Sequence, residues 1–351
     1  MNIKHQQLKQ LVQTIFAKAG CQPPEDQQMA HHLVESNLVG HDSHGVIRIP
    51  RYLYFLREGM VRANRQVKVV FESEVISVLD ADLGFGQSVG EQAMKYAIDK
   101  VARHGVSVMS LRNAGHLGRI GQWATMGAEA GLVSLHWVNT NGFAILVAPF
   151  GGIDRRLSAN PITAGIPVEG QDPIVLDIST AAIAEGKVRV AMNKGEQLPP
   201  GCVVDSSGKA TVNPEDFYAD PPGSLLTFGG HKGYGLSVLT EVLAGALTGS
   251  GCSNPDAPHL VNGMLTILLD PEKFSTDTGF ADDVKRLIDF VKSSRTLDPD
   301  GEILLPGEIE ARTRAKRIED GIELDDRTWN SLVESAASLG ISTDEVLNPA
   351  D

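Results

Sequence analysis

Val106-Ser107-Val108-Met109-Ser110-Leu111, closed in front by Gly105 and behind by Asn113-Ala114-Gly115, is the stretch whose reading decides the fold. It is apolar, too short for a stable helix and bounded by turn residues, which predicts a buried strand. On its N-terminal side Gln87–His104 has helical spacing and stops at Gly105. On its C-terminal side Gly118–Ala130 is again helical, stops at Gly131, and leads into a second strand over Leu132–Val138. Strand and helix in alternation predict an α/β architecture with at least some parallel pairing.

Working outward, Val67–Phe71 and Val75–Leu79 flank Glu72-Ser73-Glu74 and predict a hairpin. Toward the N-terminus, Leu8, Leu11, Val12, Ile15 and Phe16 mark an amphipathic helix over residues 4–19. Pro23-Pro24 opens a second, whose apolar face is Met29, Ala30, Leu33, Val34 and Leu38. His31 and His32 on that helix read as a partly exposed surface pair. Beyond residue 150, Pro161–Val168 and Pro173–Ile178 are strand candidates and Thr180–Met192 a helix. Residues 194–230 are too long for a simple connection and suggest a functional or interface excursion. Helix follows at Tyr234–Leu247, strand at Met264–Leu269, and helices near 280–293, 308–319 and 325–339. The expected organisation is an N-terminal helical segment (1–66), an α/β cofactor- and substrate-binding core (67–280) and a C-terminal helical segment (281–351).

The chain of 351 residues is 42% hydrophobic and 21% charged, which suits a globular protein, and its net charge of −13 disfavours nucleic-acid and anionic membrane partners. Three scattered cysteines, Cys21, Cys202 and Cys252, support neither a disulfide framework nor a zinc site and fit a reducing cytoplasm. No apolar run is long enough to span a membrane.

Chemistry concentrates in Gly40-His41-Asp42-Ser43-His44-Gly45-Val46-Ile47-Arg48-Ile49-Pro50-Arg51-Tyr52. If helical from Ser43 onward, His44, Arg48 and Tyr52 share one face. Guanidinium clamps carboxylate and imidazole titrates near neutrality, so the segment points to a small carboxylate whose neighbouring carbon gains or loses a proton. His44 is the expected proton donor and acceptor, Arg48 the carboxylate clamp, and Ser43 or Tyr52 the orienting group. An ion pair of Arg48 with Asp42 or Glu35 is the competing structural reading. His116, between a strand end and a helix start, is the rival acid/base.

Gly84-Phe85-Gly86-Gln87-Ser88-Val89-Gly90 carries two further motifs. As a dinucleotide fingerprint it is one residue too long, and Asp80 and Asp82 before it would repel a pyrophosphate. As a G-x-S-x-G elbow it would make Ser88 a hydrolase nucleophile with His231 or His259 as base, but no oxyanion segment precedes it. A glycine-rich turn that lets a helix pack tightly on the sheet is the plainest reading. A non-catalytic carboxylate-binding module is the third alternative.

The signature at 40–52 resembles that of the type-2 malate/L-lactate dehydrogenase family. Asn113–Gly121, Ala148-Pro149-Phe150-Gly151-Gly152, Leu198-Pro199-Pro200-Gly201, Gly230-His231-Lys232-Gly233-Tyr234-Gly235 and Leu305-Pro306-Gly307-Glu308 follow in that family's order. Gly223-Ser224-Leu225-Leu226-Thr227-Phe228 is most similar to its bacterial hydroxycarboxylate dehydrogenases. The resemblance implies a mixed central sheet with flanking helices, a non-Rossmann fold binding NAD or NADP, interconversion of a 2-oxo acid and its 2-hydroxy acid, and a homodimer. It further implies cofactor contacts at Asp177-Ile178-Ser179, where a strand end should meet a helix start, at His231-Lys232-Gly233, at Pro306-Gly307-Glu308 and, more weakly, at Asn139 within Asn139-Thr140-Asn141. Which 2-hydroxy acid is used stays open.

Overall fold

The apolar stripes of the first forty residues bury themselves as the periodicity predicts. In the computed structural model, which describes residues 1–142, 144–274 and 279–348, helices α1 (His5–Lys18) and α2 (Glu25–Leu38) lock Leu8, Leu11, Val12, Ile15, Phe16, Met29 and Leu33 out of solvent. His31 is exposed, but His32 is only 3% exposed, so the expected surface pair is half wrong. The helix turns His32 inward, where its ring lies 5.1 Å from that of Trp123 and its Nε2 accepts a hydrogen bond from the Arg119 N–H at 3.0 Å.

The segment after Gly40 is not one helix. Two 3₁₀ turns, Asp42–His44 and Val46–Arg48, are separated at Gly45, and only Ile49–Arg57 (α3) is α-helical. The cause is Asn37. Its Oδ1 accepts the Val46 N–H at 2.9 Å and its Nδ2 donates to Asp42 at 2.6 Å, taking backbone and side-chain groups that a continuous helix would use. A Cβ at position 45 would meet that same side chain at 2.2 Å, so only glycine fits.

The central sheet has seven strands: β1 (Lys68–Glu72), β2 (Ile76–Asp80), β3 (Val106–Ala114), β4 (Val133–Asn141), β5 (Pro161–Ile166), β6 (Ile174–Ser179) and β7 (Val261–Leu269), in the order β1-β2-β3-β7-β4-β5-β6. The predicted hairpin is β1–β2. Parallel pairing occurs in this sheet at β2–β3, bridged by α4 (Gly86–His104). Helix α5 (Gly121–Glu129) connects β3 to β4, yet these strands do not pair, because β7 lies between them, antiparallel to both. A strand this enclosed must be apolar on both faces, and Val261–Leu269 is.

The excursion beyond residue 194 builds a second, five-stranded sheet that draws in Ile145–Val147 and Leu157–Ser158, with its own core of Val147, Val188, Val203, Phe217 and Leu225. The helix expected from Thr180 begins only at Glu185 (α6, Glu185–Lys194). The next one starts earlier than expected, as α7 (His231–Thr240), and ends in a π-helical turn, Glu241–Ala246.

Helices α8 (Phe280–Lys292), α9 (Glu308–Asp320) and α10 (Asp326–Ser338) match the three late patterns. Ile322, Leu324, Leu332, Ala336 and Ile341 join the core of α1 and α2, and Asn2–Ile3 pairs with Ile322–Glu323. Among the described residues no helix is long and apolar enough to cross a membrane.

Candidate active site

The broken segment 42–57 and the loop after β3 face each other. His44 and His116 stack with ring centroids 5.9 Å apart and an interplanar angle of 11°. The Tyr52 hydroxyl lies 2.7 Å from His116 Nδ1, and the Ser43 hydroxyl lies 3.1 Å from His44 Nδ1. Each imidazole therefore has one nitrogen tied to a hydroxyl. Arg48 donates from Nε to the Ser43 carbonyl at 2.6 Å. The competing reading of Arg48 is overturned, since Asp42 pairs with Arg317 at 2.7 Å and Glu35 with Arg314 at 2.6 Å, and among the described residues no carboxylate pairs with Arg48.

Electrostatics follow from this enclosure. Burial, reinforced by Arg48 and Arg51, pushes the His116 imidazole down to about 3. His44 is driven well below the ordinary histidine range by burial, Arg48 and His116. Burial raises the Tyr52 phenol to about 12, so it is a neutral hydroxyl in ordinary conditions. Two neutral rings beside an uncompensated guanidinium make a pocket that favours an anion.

The family-derived cofactor segments converge on edge strand β6. Asp177, Ile178 and Ser179 lie within it, so the expected helix start is absent; five residues separate Ser179 from α6. Asp177 instead accepts the Gly121 N–H at 2.9 Å, capping α5. On the outer edge the Val175 N–H donates to the Pro306 carbonyl at 3.0 Å, bringing Pro306-Gly307-Glu308 alongside. At its end the Phe228 N–H donates to the Thr180 carbonyl at 3.1 Å, which sets His231-Lys232-Gly233 there as the first turn of α7. Gly233 is obligatory, because a Cβ would meet the Phe228 carbonyl oxygen at 2.3 Å. Two contacts tie this region to the imidazoles: Glu310 on α9 lies 3.3 Å from His41, and Gly186 on α6 abuts Ser43. Asn139 is the exception. Its amide is fully buried, donating to Glu241 and the Gly251 carbonyl and accepting from the Gly263 N–H, so it braces the sheet and offers no ligand group.

Ser88 is no nucleophile. Its hydroxyl donates to Gln28 at 2.7 Å and accepts from Gln92, it is buried in the first turn of α4, and no histidine contacts it. The glycines around it serve the site differently: a Cβ at Gly86 would meet the His116 and Gly115 carbonyl oxygens at 2.3 and 2.5 Å, so this turn lies directly on the His116 loop. Sequence reasoning missed Gln87, whose Nε2 donates to the Tyr52 hydroxyl at 2.8 Å, and missed His32 and Arg119 behind the loop. Gln87 could have been found from the tight 84–90 turn, which had no other purpose.

The model of the malate/L-lactate dehydrogenase family matches residues 3–333. Hydroxycarboxylate dehydrogenase B of Escherichia coli (strain K12) is 40% identical over 343 residues, 96% of this chain and 94% of that protein. A solved Escherichia coli structure superposes with a TM-score of 0.94 at 38% identity, covering 99% of this chain and 97% of that one. Sulfolactate dehydrogenase from Methanocaldococcus jannaschii gives 0.88 at 35% identity, covering 98% and 99%. A mixed sheet with flanking helices, the paired imidazoles and these likenesses along nearly the whole length place this chain in the malate/L-lactate dehydrogenase family.

Proposed function

We propose that the protein interconverts a 2-oxo acid and its 2-hydroxy acid with NAD(H) or NADP(H), using His116 as acid/base and Arg48 as carboxylate clamp. The observation that carries this is the stacked pair His44–His116 beside a guanidinium with no carboxylate partner. The free Nη groups of Arg48 suit a bidentate carboxylate. His116 is preferred to His44 because its orienting hydroxyl is itself buried and held by Gln87, whereas the Ser43 hydroxyl is half-exposed.

In the free enzyme His116 is neutral and ready to accept the hydroxyl proton of a 2-hydroxy acid. A carboxylate on Arg48 offsets the repulsion that disfavours the imidazolium, so a bound 2-oxo acid raises the ring's proton affinity where a donor is needed. His44, stacked beside it, limits how the substrate lies. The residues along β6 fit a dinucleotide: Gly233 and Gly307 leave room where a Cβ would collide with backbone, and Lys232 is exposed at a helix N-terminus. Asp177–Ser179, His231–Gly233 and Pro306–Glu308 would hold it, and when bound it supplies the hydride. The partner is a second copy of the chain, as the family resemblance implies.

A panel of 2-oxo acids with NADH and NADPH, followed at the nicotinamide absorbance band, tests the reading. Turnover with at least one pair is expected, with kcat lowered about 10²- to 10⁴-fold in His116→Gln and less in His44→Gln. Carboxylate binding without turnover would support a binding module instead.

A further inference from the structure

We propose that Gln87 is a positioning residue that fixes which nitrogen of His116 carries the proton, acting through the Tyr52 hydroxyl. The inference rests on the reading of His116 as acid/base, but its first test needs no turnover. Gln87 is 1% exposed on the first turn of α4, and its Nε2 donates to the Tyr52 oxygen at 2.8 Å, while that oxygen lies 2.7 Å from His116 Nδ1. A phenol has one proton. With its oxygen accepting from the amide, the O–H is directed at Nδ1, and the neutral imidazole then carries its own proton on Nε2. The ring is held in the tautomer whose Nε2 is the exchanging atom.

No carboxylate competes for this role. The groups facing His116 are His44 and Arg48 from the 3₁₀ turns, Tyr52 and Arg51 from α3, and His32 from α2, all neutral or cationic. The tautomer is therefore set by hydrogen-bond direction through the buried amide and phenol. Gln87 Oε1 is buried without a partner, a cost the fold tolerates to keep Nε2 on the phenol. The Gly86 contact with the His116 carbonyl holds this first turn against the loop, so the amide cannot withdraw.

The test is ¹⁵N NMR of histidine-labelled protein, with the His116 signals identified by their loss in His116→Gln. In the unaltered enzyme the Nδ1 resonance should be that of an unprotonated acceptor and Nε2 that of an N–H. Gln87→Met should mix the two tautomers, and Tyr52→Phe should do the same. Kinetically, Gln87→Met should lower kcat about 10- to 100-fold with little change in KM for the oxo acid. In a Tyr52→Phe background the same change should add almost nothing, because Gln87 acts only through the phenol. Protonated Nδ1 in the unaltered enzyme, or additive losses in the double variant, would overturn the proposal. Failure of the acid/base reading would show differently, as unchanged kcat in His116→Gln. If Gln87→Met does not fold, the NMR of the unaltered protein still decides.

Discussion

His116 owes its chemistry to what surrounds it. Burial and two guanidiniums hold the free-enzyme imidazole down at about 3, below its ordinary 6.5. Since kcat/KM reports the free enzyme and kcat the complex, the two pH profiles should separate. For 2-hydroxy acid oxidation, the acid limb of kcat/KM should lie well below 6.5, as protonation of His116 removes the base only there. The acid limb of kcat should lie higher, because the substrate carboxylate on Arg48 offsets the repulsion. Stopped-flow or steady-state profiles check this; coincident limbs would mean that the bound carboxylate does not reach Arg48. The residue types of this site were legible in the segment 40–52, since imidazole, guanidinium and phenol so close together have few purely structural uses. Their geometry was not: it depends on Asn37 breaking the helix at Gly45, and on the His116 loop arriving from β3.

At the level of elements, helices and strands flagged by period and by glycine or proline stops appear within a few residues of where they were expected. What sequence could not show was which strands pair. Alternation suggested that β3 and β4 would be neighbours, but β7, contributed from more than a hundred residues later, separates them. Edge strand β6 was likewise unreadable as a meeting line, because the hydrogen bonds from Val175 to Pro306 and from Phe228 to Thr180 are long-range. The glycine turn before α4 is where an element controls the site. Gly86→Ala would force the Gly115–His116 backbone away from α4, as the new Cβ would sit 2.3 Å from a carbonyl oxygen. A displacement near 1 Å costs about 100-fold in rate, so kcat should fall by that order while circular dichroism stays native. Unchanged kcat would show that the loop is not held from this side.

For the molecule as a whole, buried neutral histidines link folding to pH. His136 is fully buried at the sheet centre, its Nδ1 2.9 Å from Thr266 Oγ1, and desolvation lowers it to about 3. Its folded value lies below its unfolded one, so the unfolded chain binds the extra proton, and the contribution is complete above 6.5 and lost as pH falls toward 3. The slope is about 1.4 kcal/mol per pH unit for each such group. Urea unfolding across this window should show stability falling with acid, and His136→Gln should remove about one proton from that slope.

The two ends of the chain enclose one core: Ile3, Leu8 and Phe16 pack with Ile322, Leu332 and Ile341, and Arg314 and Arg317 on α9 grip Glu35 and Asp42 beside the imidazoles. During synthesis on a ribosome, the segment bearing His44 emerges early and must wait for residues made almost last. A nascent chain that already has its central sheet would still lack a finished pocket, so capacity to bind a carboxylate should switch on late in translation, in one step.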